Sequence, residues 1–159
     1  MSRGLNNNNA GNIIQSKVVY AGEKLPSTDP KFKQFITAAY GYRAIFVLLR
    51  YYIGKDFNTV RKIFTRYEPV NYEAYINFIV KFTGIPENRV IDRDDWQSLG
   101  KIVAGISKME NGVPAVMKDL TDGMKLAQSG QSAPSEPKQG KKWLFIPIAA
   151  LTIWGLTKL

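Results

Sequence analysis

The chain has 159 residues, enough for one domain with a real core, and contains neither cysteine nor histidine. Those two absences exclude a disulfide framework, a thiolate nucleophile, His-ligated zinc, and any Ser-His-Asp or Cys-His mechanism, which leaves Glu, Asp, Lys and Tyr for acid–base work. The formal net charge of +9 favours an anionic partner such as nucleic acid, anionic lipid or an acidic cell-wall polymer, although basic residues scattered singly also suit a merely solubilising surface.

The N-terminal stretch MSRGLNNNNAGN has no apolar run, so no cleavable signal peptide is expected. SKVVYAGEKLP, residues 16–26, reads as a short β-hairpin around Ala21-Gly22. Helical spacing then begins. Phe35, Ala39, Tyr42, Phe46, Leu49 and Ile53 predict a first helix ended by Gly54. A second starts at Asn58 or Thr59, points Val60, Ile63, Phe64 and Tyr67 inward, and stops before Pro69. A third begins near Asn71 with Tyr72, Tyr75, Ile76, Ile79 and Val80, and Gly84 and Pro86 end it. A fourth follows Asp92, with Asp94 and Asp95 in its first turn, and runs to about Glu110. A fifth starts at Pro114, with Val113, Met117, Leu120 and Met124 on its inward face.

Residues 1–126 therefore read as one mainly α domain. Residues 127–142 open with AQSGQSAPSEP, a small, polar stretch with two prolines, and read as a flexible polar and basic linker. Residues 143–159 contain fifteen uncharged positions, Trp143 to Thr157, flanked by Lys141, Lys142 and Lys158. As a helix these would span about 22 Å, short for a hydrocarbon core of ~30 Å, but interfacial Trp143 and Trp154 and snorkelling lysines suit a C-terminal single-pass anchor. The other reading is a helix packed on the domain, and the polar linker in front argues against it.

The fourth helix carries an anomaly. Trp96, Leu99, Val103 and Ile106 form an apolar stripe, and its next position is Glu110. A carboxyl there meets partial burial and the negative end of the helix dipole, both of which raise its pKa. An acid kept protonated is what a glycosidase needs to protonate its leaving oxygen. Spacing alone leaves open a frayed helix end with Glu110 turned to solvent. The remaining carboxylates read as local: Glu68 in a turn before Pro69, Glu73 in a first helical turn, and Asp92, Asp94 and Asp95 as capping residues. No acidic cluster suggests a metal site, and no cofactor is expected.

Several segments together resemble a known family. NNAGNI (Asn8 to Ile13), FKQFITAAYGYRAIFVLLRYY (Phe32 to Tyr52), NTVRKIFTRYEP (Asn58 to Pro69), YEAYI (Tyr72 to Ile76), TGIPEN (Thr83 to Asn88) and MENGVP (Met109 to Pro114) occur in one order. They resemble the phage virion-associated muralytic proteins, which are similar to the lytic enzyme of cystoviruses. That pattern is roughly NNPGNIR, F-x-x-F with YGYRA, NTIRxIIxRWAPPxEN, AYI and HENG. The likeness covers about residues 8–117.

The resemblance implies a lysozyme-like fold of the lytic-transglycosylase kind, circularly permuted. It makes Glu110 the catalytic acid and lays Asn8, Asn9, Gly11 and Asn12 beside a cleft. Tyr67, Tyr72 and Tyr75 become candidate sugar contacts, though at helical spacing each also suits the core. The implied activity is cleavage of peptidoglycan glycan strands, as a transglycosylase or muramidase, in phage entry or host lysis. The implied partners are peptidoglycan, a lipid membrane and other virion structural proteins; nucleic acid is not expected. A non-catalytic virion component on the same scaffold is the alternative.

The chain departs from the pattern in four places. Ala10 replaces a proline, Ile14 an arginine and Met109 a histidine, and the APPxEN stretch shortens to EPVN. The shortened stretch lacks a Glu-Asn pair, which leaves no evident second carboxylate. A lytic transglycosylase works with one, because the sugar's own hydroxyl attacks and a single Glu serves as acid and then as base.

Overall fold

The computed structural model describes residues 1–130. These form six helices, α1 (Arg3–Asn6), α2 (Ala38–Ile53), α3 (Val60–Tyr67), α4 (Tyr72–Thr83), α5 (Trp96–Asn111) and α6 (Met117–Gln128). Among the described residues β structure is limited to two isolated antiparallel bridges, Ile14 with Phe32 and Glu23 with Phe35. None of these helices is long and apolar enough to cross a membrane. The proposed anchor, 143–159, lies outside the described residues, as does most of the linker; α6 continues through Gln128, so the domain extends past residue 126.

Each long helix begins where a side chain can satisfy its first amides. Thr37 Oγ1 accepts from Tyr40 N, Thr59 Oγ1 from Lys62 N, and Asp95 Oδ1 from Ser98 N. These caps move two predicted starts. Phe35 precedes α2 in a loop, where it is 1% exposed, and Asp92 precedes α5 in a turn whose Oδ1 accepts from Asp94 N.

The core is built by the predicted stripes. Ile45, Phe46, Leu49, Ile63, Phe64, Ile76, Ile79, Leu99, Ile102, Val103 and Ile106 are fully buried. Each such side chain contributes roughly 1.5–3 kcal/mol on burial. The most extensive packing is between α2 and α6, followed by α3 on α4 and α4 on α5. α6 corrects one expectation. Its cap is Val116 rather than Pro114, and Val113 and Met117 are exposed while Leu120 is buried.

The hairpin around Ala21-Gly22 does not form, because residues 20–24 pair with 34–36 instead of with themselves. Lys24 N donates to Gln34 O and Ile36 N to Gly22 O. A buried cation explains the choice. The Lys33 side chain is fully buried, and its Nζ donates to Val18 O and to Glu23 Oε1 at 2.7 Å each. The 16–24 segment must turn its carbonyls and Glu23 inward to satisfy that ammonium.

The N-terminal loop, residues 7–13, is fixed by its asparagines. Asn8 and Asn12 hold left-handed backbones, φ 52° and 49°, which Asn tolerates better than most residues. Asn9, fully buried, donates to Ile13 O and Lys33 O and accepts from Ile13 N. α2 touches this loop at Gly41, where a Cβ would fall 1.8 Å from Asn8 O, so no larger residue fits.

Candidate functional site

Glu110 is the penultimate residue of α5. The stripe beneath it, Leu99, Val103 and Ile106, is fully buried, so the helix face delivers its carboxyl to the domain interior. Gly112, in the left-handed conformation at φ 73°, ends the helix immediately after it. Glu110 itself is partly buried, which rejects the reading of a frayed end turned wholly to solvent.

Two donors hold the carboxyl. Tyr75 on α4 donates its hydroxyl hydrogen to Glu110 Oε1. Asn12 Nδ2, from the N-terminal loop, donates to Glu110 Oε2 at 2.7 Å. Burial raises the Glu110 pKa, and the Tyr75 and Asn12 hydrogen bonds pull against that rise because they favour the ionised form. The Tyr75 phenol is itself driven well above its ordinary value, first by burial and then by the Glu110 charge beside it.

Tyr67 on α3 completes the wall. It is 1% exposed and donates to Gly11 O at 2.7 Å, and its ring lies 6.0 Å from that of Tyr75. Asn111 fastens the helix end to the start of the chain: its Nδ2 donates to Ala10 O at 2.8 Å, and its Oδ1 accepts from Ser2 Oγ at 2.5 Å.

The structure therefore brings together Glu110, Tyr75, Tyr67, Gly11 and Asn12. Two predicted residues stand apart. Asn8 and Asn9 spend their side-chain donors on the loop itself, on Phe35 O and on Ile13 O with Lys33 O. Tyr72 is partly buried against the hydrophobic core, and among the described residues no hydrogen bond ties it to Glu110. Nor do the described residues include a group of three or more His, Cys, Asp and Glu placed to hold a metal ion.

Sequence reasoning missed Glu68, which follows α3 directly. It is only 4% exposed, and its Oε1 is buried without a hydrogen-bond partner. Burial raises its pKa, the amides of Asn71 and Val70 lower it, and the Glu110 charge raises it further. A signal was present: Glu68 stands four residues after Phe64, on the same inward stripe, as Glu110 stands four after Ile106.

Comparison with known proteins adds a relation. No family model matches the chain. Protein P5 of Pseudoalteromonas phage PM2 is 33% identical to it over 118 residues, which cover 70% of this chain and 72% of that protein. The chain belongs to the family of phage protein P5. It is thus a relative of a phage protein whose name carries no chemistry, and what the Glu110 cluster does is read from its geometry.

Proposed function

We propose that this member of the P5 family is a virion-associated, peptidoglycan-cleaving enzyme that uses Glu110 as its acid. The observation that carries this reading is the setting of Glu110: a carboxyl on an apolar stripe, partly buried, raised in pKa and gripped by two neutral donors. Burial favours the protonated form that can give its proton to the leaving sugar oxygen. The Tyr75 hydroxyl and Asn12 amide stabilise the carboxylate that remains, since each hydrogen bond is stronger to the anion. Glu110 can then accept the proton of the attacking hydroxyl, the sugar's own in a transglycosylase or a water's in a muramidase. A muralytic family resemblance in the ordered motifs supports the same reading. The uncharged run from Trp143 to Thr157 supports attachment to a membrane.

The test is digestion of purified cell walls by the full chain, with mass spectrometry of the fragments. Anhydro-sugar ends mean a transglycosylase and reducing sugar ends a muramidase. Cut peptides with intact glycan overturn the reading.

One observation favours a second reading, a non-catalytic phage structural protein on the same scaffold. Both Glu110 oxygens already hold hydrogen bonds inside the domain, as a purely structural carboxylate would. Absence of lysis on every wall tested, by folded protein, selects this alternative.

A further inference from the structure

Among the buried carboxylates described here, Glu68 is the unusual one. Glu23 is buried against Lys33 Nζ, and Asp29 is held by Arg3, Asn7 and two backbone amides. Glu68 keeps a buried oxygen, Oε1, with no hydrogen-bond partner. A carboxyl left this way is expensive unless it holds a proton or is completed by something that binds. It also sits at the C-cap of α3, where unpaired carbonyls make the field negative and so favour its neutral form.

The surroundings of Glu68 connect it to Glu110. On its own helix lies Tyr67, on α4 Tyr75 and on α5 Glu110; each of the two tyrosines feels the charge of both carboxyls. Tyr67 and Tyr75 stand ring against ring, and Tyr75 bonds Glu110 directly. The loop residues Gly11 and Asn12, which close the far side, carry no charge. Two carboxyls thus share one wall of phenols and backbone, with no described cation bonded to either among their printed contacts being needed to account for the geometry.

We infer that Glu68 is a positioning residue of this site: it forms a pair with Glu110, and the two carboxyl groups hold one proton between them through neutral pH. Two like charges at close quarters in a buried site resist simultaneous ionisation, so the second proton is lost only at high pH. The pair supplies what the shortened EPVN stretch had removed, a second carboxyl, from a different position. Glu68 acts through Glu110 by keeping a proton available to it. This role in lysis rests on the muralytic reading; the pairing itself does not.

The experiment is a pH titration of the full chain with 13C-labelled glutamate carboxyls, read by NMR, on wild type, Glu68→Gln and Glu110→Gln. Coupled carboxyls titrate in two steps separated by more than about one pH unit. The upper step is expected to vanish in both variants, each retaining one step at lower pH. An upper step that persists unchanged in either variant overturns the pairing. Both substitutions preserve size, and melting curves report whether each variant folds; the folded one decides if the other does not. Lysis is measured in parallel. The alkaline limb of wild-type activity should move down by about one pH unit or more in Glu68→Gln. Coupled steps without lysis by wild type retain the pairing and reject the muralytic reading. Lysis with independent steps does the reverse.

Discussion

The hydroxyl of Tyr75 donates to Oε1 of Glu110, so a residue of α4 controls the charge of a residue at the end of α5. Tyr75→Phe removes a donor that favours the carboxylate, so the Glu110 pKa rises further. The alkaline limb of lysis should therefore move to higher pH. Stability should fall by about 1–3 kcal/mol, because an acceptor loses its partner. Tyr67→Phe is the comparison: it loses the bond to Gly11 O and should leave the limb nearly in place. Matching pH–rate profiles for the two variants would show that Tyr75 has no special hold on the acid.

Glu110→Gln should lower the lytic rate by ~10²–10⁴-fold, the usual scale for losing general acid catalysis. Its effect on stability depends on pH with a definite sign. The folded pKa of Glu110 is raised, so between the unfolded and folded values the unfolded chain has released its proton and the folded one has not yet done so. Folding of the wild type weakens as pH rises through that window. The variant should match wild type in acid, below both values, and exceed it above them. Thermal midpoints measured across pH check this, and a variant less stable than wild type at alkaline pH contradicts it.

Asn12 joins a backbone φ of 49° to a side-chain bond with Glu110 Oε2, and two substitutions separate these. Asn12→Gly gives up the amide but keeps the backbone at ease. Asn12→Ala gives up the amide and adds left-handed strain of roughly 1–2 kcal/mol. Both should lose lytic activity to a similar extent, while only the alanine variant loses the extra stability. Urea denaturation beside the lytic assay tells them apart.

Asp29 acts at a distance. Arg3, foremost, and then Phe32 N, Asn7 and Lys31 N hold its carboxyl well below the usual carboxylate range against the opposing effect of burial. Its contribution to stability is full above the unfolded pKa and is lost as pH falls through the folded value. Asp29→Asn should therefore melt below wild type at neutral pH, with the gap closing only in strong acid. It should also loosen the loop that presents Asn12, which a fall in lytic rate at constant protein concentration would register.

A chain ending at Gly130 should remain soluble without detergent and keep its lytic activity, whereas the full chain should partition with liposomes. Equal partitioning of the two removes the anchor.

The helices were readable because their evidence is periodic. Thr59 before Val60, Ile63, Phe64 and Tyr67 gave both a cap and an inward face, and α3 follows them. The position of Glu110 on its stripe was readable for the same reason. The stretch from Ser16 to Phe35 was not, because its shape is set by a partner outside local reach: Lys33 gathers Val18 O and Glu23, and no pattern in SKVVYAGEKLP announces that cation. Val113 and Met117 were placed inward by their hydrophobicity, yet the loop before α6 leaves them exposed. Glu68 was overlooked because Pro69 marks a turn, and turns are ordinarily wet. Asn8 and Asn9 came with the Asn-rich motif, but only geometry separates asparagines that build a loop from the one that reaches the acid.

Ser2 and Asn111 are 109 positions apart in sequence and joined through their side chains, as Asn12 and Glu110 are 98 apart. A chain emerging from a ribosome makes α2, α3 and α4 before it makes the residue that Asn12 is waiting to hold. The N-terminal loop must stay unfinished through most of synthesis, and nothing with the assembled cluster exists until the last quarter of the domain has been translated and has closed back on the first. A cell producing this protein carries inert nascent chains, and the chemistry of the site begins only with release of a complete domain.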